Sequence, residues 1–340
     1  MRLREQYALL LELSSRGGPL SSGSSAETVR DSRMFRELSN GQFQVVSSDR
    51  LTLHETISDS FWGDNPIRGA PGRRAIVMAG PPGAGKSTAL PDISPEFFQG
   101  KPFALIDSDD LKSSLLNDAI ATGYYESQFL PLVKMYAAGG ARFFPMDFAG
   151  LVHAESMILH AQLIRDGIAS RANLVIDGTM AWRRYGEDIL TRLQEAGYVT
   201  QLIVDVEASR SEAEEHAYLR WREGHLAAVW LTDEKPGTEP MGGRIVPSIS
   251  YDTIFEDGIA KTLTNARSLA DEFDIPVMVF FPARTKKAPE LVFDSAHGGT
   301  VVHITSTGRR RGRCSVCGRA IWSPTSIARG SGPECASKLP

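Results

Sequence analysis

The chain has 340 residues, of which 42% are hydrophobic and 23% charged, a composition typical of a globular protein with one sizeable core and appendages. Its formal net charge of −4 argues against a globally basic surface for nucleic acid. No run of eighteen apolar residues occurs, and an acidic residue interrupts the apolar stretch 7–13. We therefore expect neither a transmembrane helix nor a signal peptide, which favours a cytoplasmic location.

The chain opens with a segment, residues 1–47, that we interpret as helical and linker-like. Residues 17–25 read Gly-Gly-Pro-Leu-Ser-Ser-Gly-Ser-Ser, a composition typical of a flexible linker. After it, apolar residues recur at helical spacing and Asp49 is a candidate N-cap. The pattern predicts a helix over residues 48–62.

From residue 75 onward, short apolar runs alternate with helical patterns. Buried strands that alternate with helices predict an α/β fold, with a mostly parallel sheet flanked by helices. The predicted strands are 75–79, 103–106, 174–176, 202–206 and 277–281.

Two of the later helices carry end signals. A helix over 186–196 is predicted to end at Gly197, and one over 212–222 to begin with a capping box of Ser211 and Glu214. Residues 224–247 have the composition of a long loop.

The strongest motif is Gly-Pro-Pro-Gly-Ala-Gly-Lys-Ser at residues 80–87, which fits the pattern G-x-x-x-x-G-K-[ST] without a mismatch. A predicted strand precedes it and a predicted helix follows, so a chance glycine-rich turn is the weaker interpretation. Lys86 would bridge the β- and γ-phosphates of ATP, and the Ser87 hydroxyl would ligate Mg²⁺. The predicted nucleotide-binding residues are Gly80, Pro81, Pro82, Gly83, Ala84, Gly85, Lys86, Ser87 and Thr88.

Acidic residues follow two of the predicted strands. Asp107, Asp109 and Asp110 lie where the second strand enters a helix, at the sheet edge where α/β proteins bind ligands. A carboxylate there could accept the proton of an attacking hydroxyl, although an aspartate at a helix start is also an ordinary N-cap. Asp177, after the third strand, is either a Walker B-like residue near Mg²⁺ or part of a strand-end turn.

A helix before that third strand carries the stripe Val152, Glu155, Leu159 and Leu163. Glu155 interrupts the apolar face, so it needs either a ligand or a partner in a buried ion pair. Farther along the chain, Arg220 and Arg244 are candidates for stabilising phosphoryl charge, because the planar fork of arginine binds phosphate in a bidentate manner.

This ordered set of motifs resembles the zeta toxin family, kinases that phosphorylate the 3′-hydroxyl of UDP-N-acetylglucosamine. The resemblance covers about residues 50–285 and implies a P-loop kinase domain, which we place at residues 48–285. It also implies ATP and Mg²⁺ as cofactors, a sugar nucleotide as acceptor and a possible antitoxin protein as partner. Nucleic acid is a less favoured partner, and no membrane contact is expected.

The resemblance also implies roles for single residues. Asp109 corresponds to the catalytic base, Lys86 to the phosphate-binding lysine, and Arg220 and Arg244 to two arginines of a lid. The implied substrate-binding residues are Asp107, Glu155, Asp177 and Thr179. Departures from the family pattern concern the acceptor side: aspartate replaces glutamate at 177, the lid is longer, and the segment 167–172 carries extra residues.

A linker is predicted at residues 286–308, followed by a small cysteine module at residues 309–340. Cys314, Cys317 and Cys335 have the spacing of a zinc knuckle, with His303 as a candidate fourth ligand for Zn²⁺. Three reduced thiols without metal are the alternative. The basic residues 309–313 could contact nucleic acid, although a solvated turn is the simpler interpretation.

Three other functions fit the same motifs. The chain could phosphorylate another small molecule, such as an antibiotic, or the end of a nucleic acid. It could also be a non-catalytic nucleotide-binding module. The presence of Lys86, Ser87, Asp109 and two candidate arginines together in one chain favours catalysis over the last of these.

Overall fold

The computed structural model describes residues 1–64, 72–235, 239–281 and 290–295, and of the later chain only the strands at 302–304, 310–313 and 320–321. The chain divides into two compact units. The unit that we call the helical unit comprises Met1–Pro66, Ile106–Asp166 and Glu214–Asp252. The unit that we call the sheet unit comprises Ile67–Leu105, Gly167–Ala213 and Thr253–Pro340.

Helices and strands alternate through most of the chain. The α-helices are α1 (Leu3–Leu13), α2 (Ser48–Asp64), α3 (Lys86–Phe97), α4 (Ser108–Ala121), α5 (Lys134–Ala138), α6 (His153–Ala169), α7 (Arg183–Glu195), α8 (Arg210–Glu234), α9 (Ser248–Ile254) and α10 (Lys261–Phe273). The strands are β1 (Phe35–Glu37), β2 (Phe43–Val45), β3 (Arg74–Ala79), β4 (Ala104–Ile106), β5 (Leu174–Ile176), β6 (Thr200–Val206), β7 (Phe255–Glu256), β8 (Ile259–Ala260), β9 (Val277–Phe281), β10 (Glu290–Asp294), β11 (Val302–Ile304), β12 (Arg310–Arg313) and β13 (Ala320–Ile321).

The main sheet has the strand order β10-β9-β6-β3-β5-β4. Strand β3 runs parallel to both β5 and β6, and β6 runs parallel to β9, whereas β10 pairs with β9 in the antiparallel direction. The residues of β5 are all buried, as are those of β3 and β6 beyond their first residues, as expected for the centre of a sheet covered on both faces. The predicted α/β fold with a mostly parallel sheet is confirmed.

Helix ends follow the predicted signals in part. Helix α7 ends just before Gly197, whose φ of +79° identifies it as the predicted C-terminal glycine. The cap of α2 is Ser47, not Asp49, because the Ser47 hydroxyl oxygen accepts the Arg50 N–H at 3.3 Å. The predicted cap of α2 was therefore wrong by two residues.

Helix α8 differs from the prediction at both ends. Its capping box is formed by Ser209 and Glu212, whose side chains each accept the other's backbone N–H. At its other end, α8 continues to Glu234 through residues that we predicted as loop. A glycine inside a helix costs only about 1 kcal/mol. The run of alanine, leucine and tryptophan after Gly224 therefore keeps the helix intact.

The interpretation of residues 17–25 as a flexible linker was wrong. Leu20 is buried, and its N–H donates to the Leu13 carbonyl at the end of α1 at 3.0 Å. A Cβ atom on Gly18 would lie 2.2 Å from the same carbonyl oxygen. The small residues therefore form a tight turn that packs back on α1, and α1 itself buries Leu10 and Leu13.

In the described part of the chain, no helix is both long enough and apolar enough to cross a membrane.

Candidate active site

The loop between β3 and α3 has the backbone of a phosphate-binding loop. Gly80, Gly83 and Gly85 all have positive φ, at +115°, +87° and +95°. A Cβ atom on Gly80 would lie 2.0 Å from the Val206 carbonyl oxygen, and one on Gly83 would lie 2.3 Å from that of Ala213. Glycine is therefore favoured by backbone conformation at all three positions, and by the close approach as well at Gly80 and Gly83.

Two side chains follow the glycines at the start of α3. Lys86 is partly exposed, and its Nζ donates to the Gly80 carbonyl oxygen at 3.2 Å. Ser87 is exposed in the first turn, at the positive end of the helix. Lysine, an exposed hydroxyl and a helix N-terminus fit the phosphates of a nucleotide and its Mg²⁺ ion.

Among the described residues, no group of three histidine, cysteine or carboxylate side chains is placed to hold a metal ion. Mg²⁺ in nucleotide sites usually binds few protein groups together with oxygens of the nucleotide, and the Ser87 hydroxyl is the predicted protein ligand. The candidate zinc ligands Cys314, Cys317 and Cys335 lie outside the described residues, as does the His303 side chain, so the zinc site stays a prediction.

A backbone hydrogen bond connects the segment after β5 to the phosphate-binding loop. The Gly80 N–H donates to the Thr179 carbonyl oxygen at 3.1 Å. The Thr179 hydroxyl oxygen accepts the Ala181 N–H at 3.3 Å and so stabilises the local turn. Asp177 is half-buried at the end of β5. The substrate-binding roles of Asp177 and Thr179 stay predictions.

Two carboxyl groups that our sequence interpretation missed lie at the end of β6, the strand beside β3, with Asp205 in the strand and Glu207 directly after it. Asp205 pairs with Ala79, the residue before the phosphate-binding loop, and its side chain is fully buried. Glu207 accepts a hydrogen bond from the Thr262 hydroxyl at 2.5 Å. Burial, followed by the charge of Glu207, raises the pKa of Asp205 far above its usual range. The available signal was the sequence Asp-Val-Glu at the end of an apolar run.

In the helical unit, Asp107 and Asp109 at the start of α4 have different partners. Asp107 is the N-cap of α4, and its carboxylate accepts the Asp109 N–H at 2.8 Å. The Asp109 carboxylate makes two ion pairs, one from Oδ1 to the Lys112 Nζ at 3.0 Å and one from Oδ2 to the Arg244 guanidinium. Asp109 and Arg244, which are 135 positions apart in the sequence, are therefore brought together in the helical unit, while their catalytic roles stay predictions.

Glu155 is buried in an ion-pair network. Arg50 donates to both of its oxygens, from Nε at 2.6 Å and from Nη2 at 2.8 Å, and the His54 Nε2 lies 2.7 Å from Oε1. Burial raises the pKa of Glu155, but hydrogen bonds from His54 and Arg50 outweigh this effect, so the pKa lies below its usual range. Of the two alternatives for Glu155, the structure contains the buried ion pair, and a substrate-binding role stays a prediction.

The two candidate lid arginines belong to segments that touch backbone to backbone. Arg220 is exposed on α8, and Arg244 follows Gly243 in the segment that crosses the helix one turn later. A Cβ atom on Gly243 would lie 2.0 Å from the Trp221 carbonyl oxygen, and one on Gly224 would lie 2.6 Å from the Gly243 Cα. This glycine crossing, formed by Gly224 and Gly243, fixes the segment that carries Arg244 against α8.

Comparison with known proteins gives two family matches. Residues 129–294 match the model of the zeta toxin family, and residues 304–340 match a family of unknown function, DUF6011. The first match includes Glu155, Asp177, Arg220 and Arg244 but begins after the phosphate-binding loop and Asp109. The second match includes all three cysteines. No curated protein sequence matches the chain significantly.

Solved structures similar to this chain include members of two systems. A structure from the PezAT chromosomal toxin–antitoxin system of Streptococcus pneumoniae is 17% identical, with a TM-score of 0.46, over 74% of this chain and 82% of that chain. A structure of AvrRxo1-ORF1 and -ORF2 with ATP is 15% identical, with a TM-score of 0.46, over 73% and 68%. The family match rests on sequence: residues 129–294 of this chain match the zeta toxin family model, and the resemblance drawn from its motifs is confirmed.

Proposed function

We propose that this protein is an ATP-dependent phosphotransferase of zeta toxin type that phosphorylates a hydroxyl group of a sugar nucleotide. The observation that supports it most directly is the phosphate-binding loop, whose three glycines with positive φ lead into Lys86 and Ser87 at the start of α3. The zeta toxin match at residues 129–294 supports a kinase over other nucleotide-binding proteins. Because ATP is the proposed donor, the proposal includes a cytoplasmic location.

On the donor side, backbone N–H groups of the loop would bind the phosphates of ATP. Lys86 would leave the Gly80 carbonyl oxygen and bind the β- and γ-phosphates. Ser87 would hold Mg²⁺, which neutralises charge on the β- and γ-phosphates when it is bound. The proposal gives neither Asp177 nor Asp205 a role in binding Mg²⁺.

On the acceptor side, Asp109 would act as the general base. Its carboxylate takes the proton of the acceptor hydroxyl, and the hydroxyl oxygen bonds to the γ-phosphorus as the bond to ADP breaks. Arg244 would then pair with the transferring phosphoryl group instead of Asp109, and Arg220 would add a second positive charge. The three charged residues in these steps, Asp109, Arg220 and Arg244, all belong to the helical unit.

The acceptor that we propose is UDP-N-acetylglucosamine, on the family resemblance alone. Asp107, Glu155, Asp177 and Thr179 would contribute to its binding, and an antitoxin protein would be the partner. The replacement of glutamate by aspartate at 177 allows a different sugar nucleotide, so the acceptor is the first part of the proposal to test.

The test is transfer of labelled γ-phosphate from ATP and Mg²⁺ to UDP-N-acetylglucosamine, with UDP-glucose, chloramphenicol and a short oligonucleotide as competing acceptors. We expect labelled UDP-N-acetylglucosamine from the wild type. We expect a loss of at least about 100-fold in Asp109→Asn, because an amide cannot accept the proton, with ATP binding nearly unchanged.

The matched control is Asp110→Asn, which removes the same charge at the next, exposed position of α4. Full activity in Asp109→Asn would refute the assignment of the base. Label in another acceptor would keep the phosphotransferase and replace the substrate. No label in any acceptor, together with no ATP binding, would refute the proposed function itself.

A further inference from the structure

The Asp109 carboxylate has a cation on each of its two oxygens. Lys112 contacts Oδ1 at 3.0 Å, and Arg244 contacts Oδ2. A carboxylate with both oxygens in ion pairs is a poor proton acceptor, since each pair stabilises its charged form. One of the two cations must therefore leave before Asp109 can act as a base.

The two cations differ in how they are held. Lys112 is on the same helix as Asp109, three residues later, so the geometry of α4 keeps the pair together. The glycine crossing fixes the backbone beside Arg244, but no shared helix ties the Arg244 side chain to Asp109, and a phosphate group can replace Asp109 as its partner. Arg244 is the cation that can move to a phosphate, whereas Lys112 stays with Asp109.

The surroundings of Lys112 suit a fixed contact. Its side chain is 13% exposed. Burial lowers the pKa of Lys112 to about 8, although the negative charge of Asp107 acts in the opposite direction. Burial and the nearby Lys112 charge lower the pKa of His153 to about 4, so His153 is neutral at pH 7. The charged groups around Lys112 are Asp109, which it contacts, and Asp107, with Arg244 on the other oxygen of Asp109 and neutral His153 nearby.

We propose that Lys112 is a positioning residue for the base: it holds Oδ1 of Asp109 so that Oδ2, once released by Arg244, faces the acceptor hydroxyl. The inference rests on the proposed function, since it assigns Lys112 to the same reaction. It adds a residue to which neither the family match nor the motif gave a role. It also gives a reason for a lysine in a largely buried position, where its charge has a cost in desolvation.

The inference has a consequence for pH. Lys112 loses its positive charge as the pH rises through about 8, and its contact with Asp109 then loses its ionic part. We expect kcat to fall above that pH in the wild type. In Lys112→Arg, kcat should stay high to a higher pH, because a guanidinium keeps its proton there.

The experiment compares the wild type with Lys112→Met, Lys112→Arg and the control Lys134→Met, which removes an exposed lysine. We expect kcat to fall roughly 100-fold in Lys112→Met, as for a misplaced catalytic group, with KM for the acceptor changed less than about threefold. Lys112→Arg should recover most of kcat at pH 7, and Lys134→Met should behave as the wild type.

A second measurement does not depend on activity. The pKa of the Lys112 ammonium is measured by NMR with ¹³C-labelled lysine, in the wild type and in Asp109→Asn. We expect a lower pKa of Lys112 in Asp109→Asn, because the opposite charge has been removed. An unchanged pKa, or wild-type kcat in Lys112→Met, would overturn the inference. A wild type that phosphorylates no acceptor would overturn the proposed function instead, while the NMR titration still decides whether Lys112 holds Asp109.

Discussion

At the scale of single residues, Asp147 is a buried acid outside the candidate active site. Its oxygens accept the Phe144 N–H at 2.9 Å and the Trp221 Nε1–H at 3.3 Å, and it is 1% exposed. Burial raises the pKa of Asp147 to about 7, and these two hydrogen bonds offset only part of that effect. At a pH between the two pKa values, Asp147 is therefore protonated in the folded protein and ionised in the unfolded chain.

This difference predicts how stability depends on pH. Between about pH 4, where an aspartate in an unfolded chain titrates, and pH 7, the folded state binds more protons at this site than the unfolded state. Raising the pH across this range should lower the free energy of unfolding, with no further change from Asp147 above pH 7. Urea denaturation of the wild type and Asp147→Asn from pH 5 to 8 measures it. Equal slopes in both proteins would contradict the assignment.

Residues of the candidate site were predictable where a short motif places them. Lys86 and Ser87 follow from one contiguous pattern. The partner of Glu155 was not predictable, because Arg50 lies 105 positions earlier and nothing local links them. Lys112 was visible in the acidic motif, yet its role depends on the exposure of its side chain and on its distance from Asp109, which a sequence does not contain.

At the scale of elements, helix α8 shows how a correct signal can be assigned to the wrong position. Residues 209–214 contain two overlapping pairs of serine and glutamate at capping-box spacing, Ser209 with Glu212 and Ser211 with Glu214. Both pairs satisfy the pattern equally. The structure selects the first pair because Ser209 is the residue at which the backbone enters the helix.

The two serines make a matched pair for a test. Ser209→Ala should lower the free energy of unfolding by about 1 kcal/mol, because the Glu212 N–H loses its acceptor. Ser211→Ala, at an exposed position inside the helix, should change it by less than about 0.5 kcal/mol. Chemical denaturation of both variants measures the difference, and equal effects would contradict the assigned cap.

At the scale of the whole molecule, each unit is built from three separate stretches of chain. The phosphate-binding loop belongs to the sheet unit, whereas Asp109, Glu155, Arg220 and Arg244 belong to the helical unit. Short apolar runs predicted five of the six strands of the main sheet, but β10 lies within residues that we predicted as linker. The same runs could not predict the division into units, since contacts between distant stretches define it.

Nucleotide binding should stabilise the whole chain. A ligand that binds only the folded state at about 100 times its Kd adds about 2.7 kcal/mol to the free energy of unfolding. ATP with Mg²⁺ should therefore raise the Tm of the wild type, and the increase should be lost in Lys86→Met. Thermal denaturation with increasing ATP measures this, and a wild-type Tm that does not respond to ATP would contradict nucleotide binding at the loop.

The glycine crossing of Gly224 and Gly243 bears on how this sequence can diverge. Any other residue at either position would place a carbon within 2.6 Å of backbone atoms, which cannot move aside as a flexible side chain can. Arg244 is thus tied to α8 through neighbours that have no side chain of their own. If the reaction requires Arg244, it also requires glycine at positions 224 and 243, although neither glycine takes part in the chemistry. A homologue without either glycine would need a different backbone path in this part of its lid.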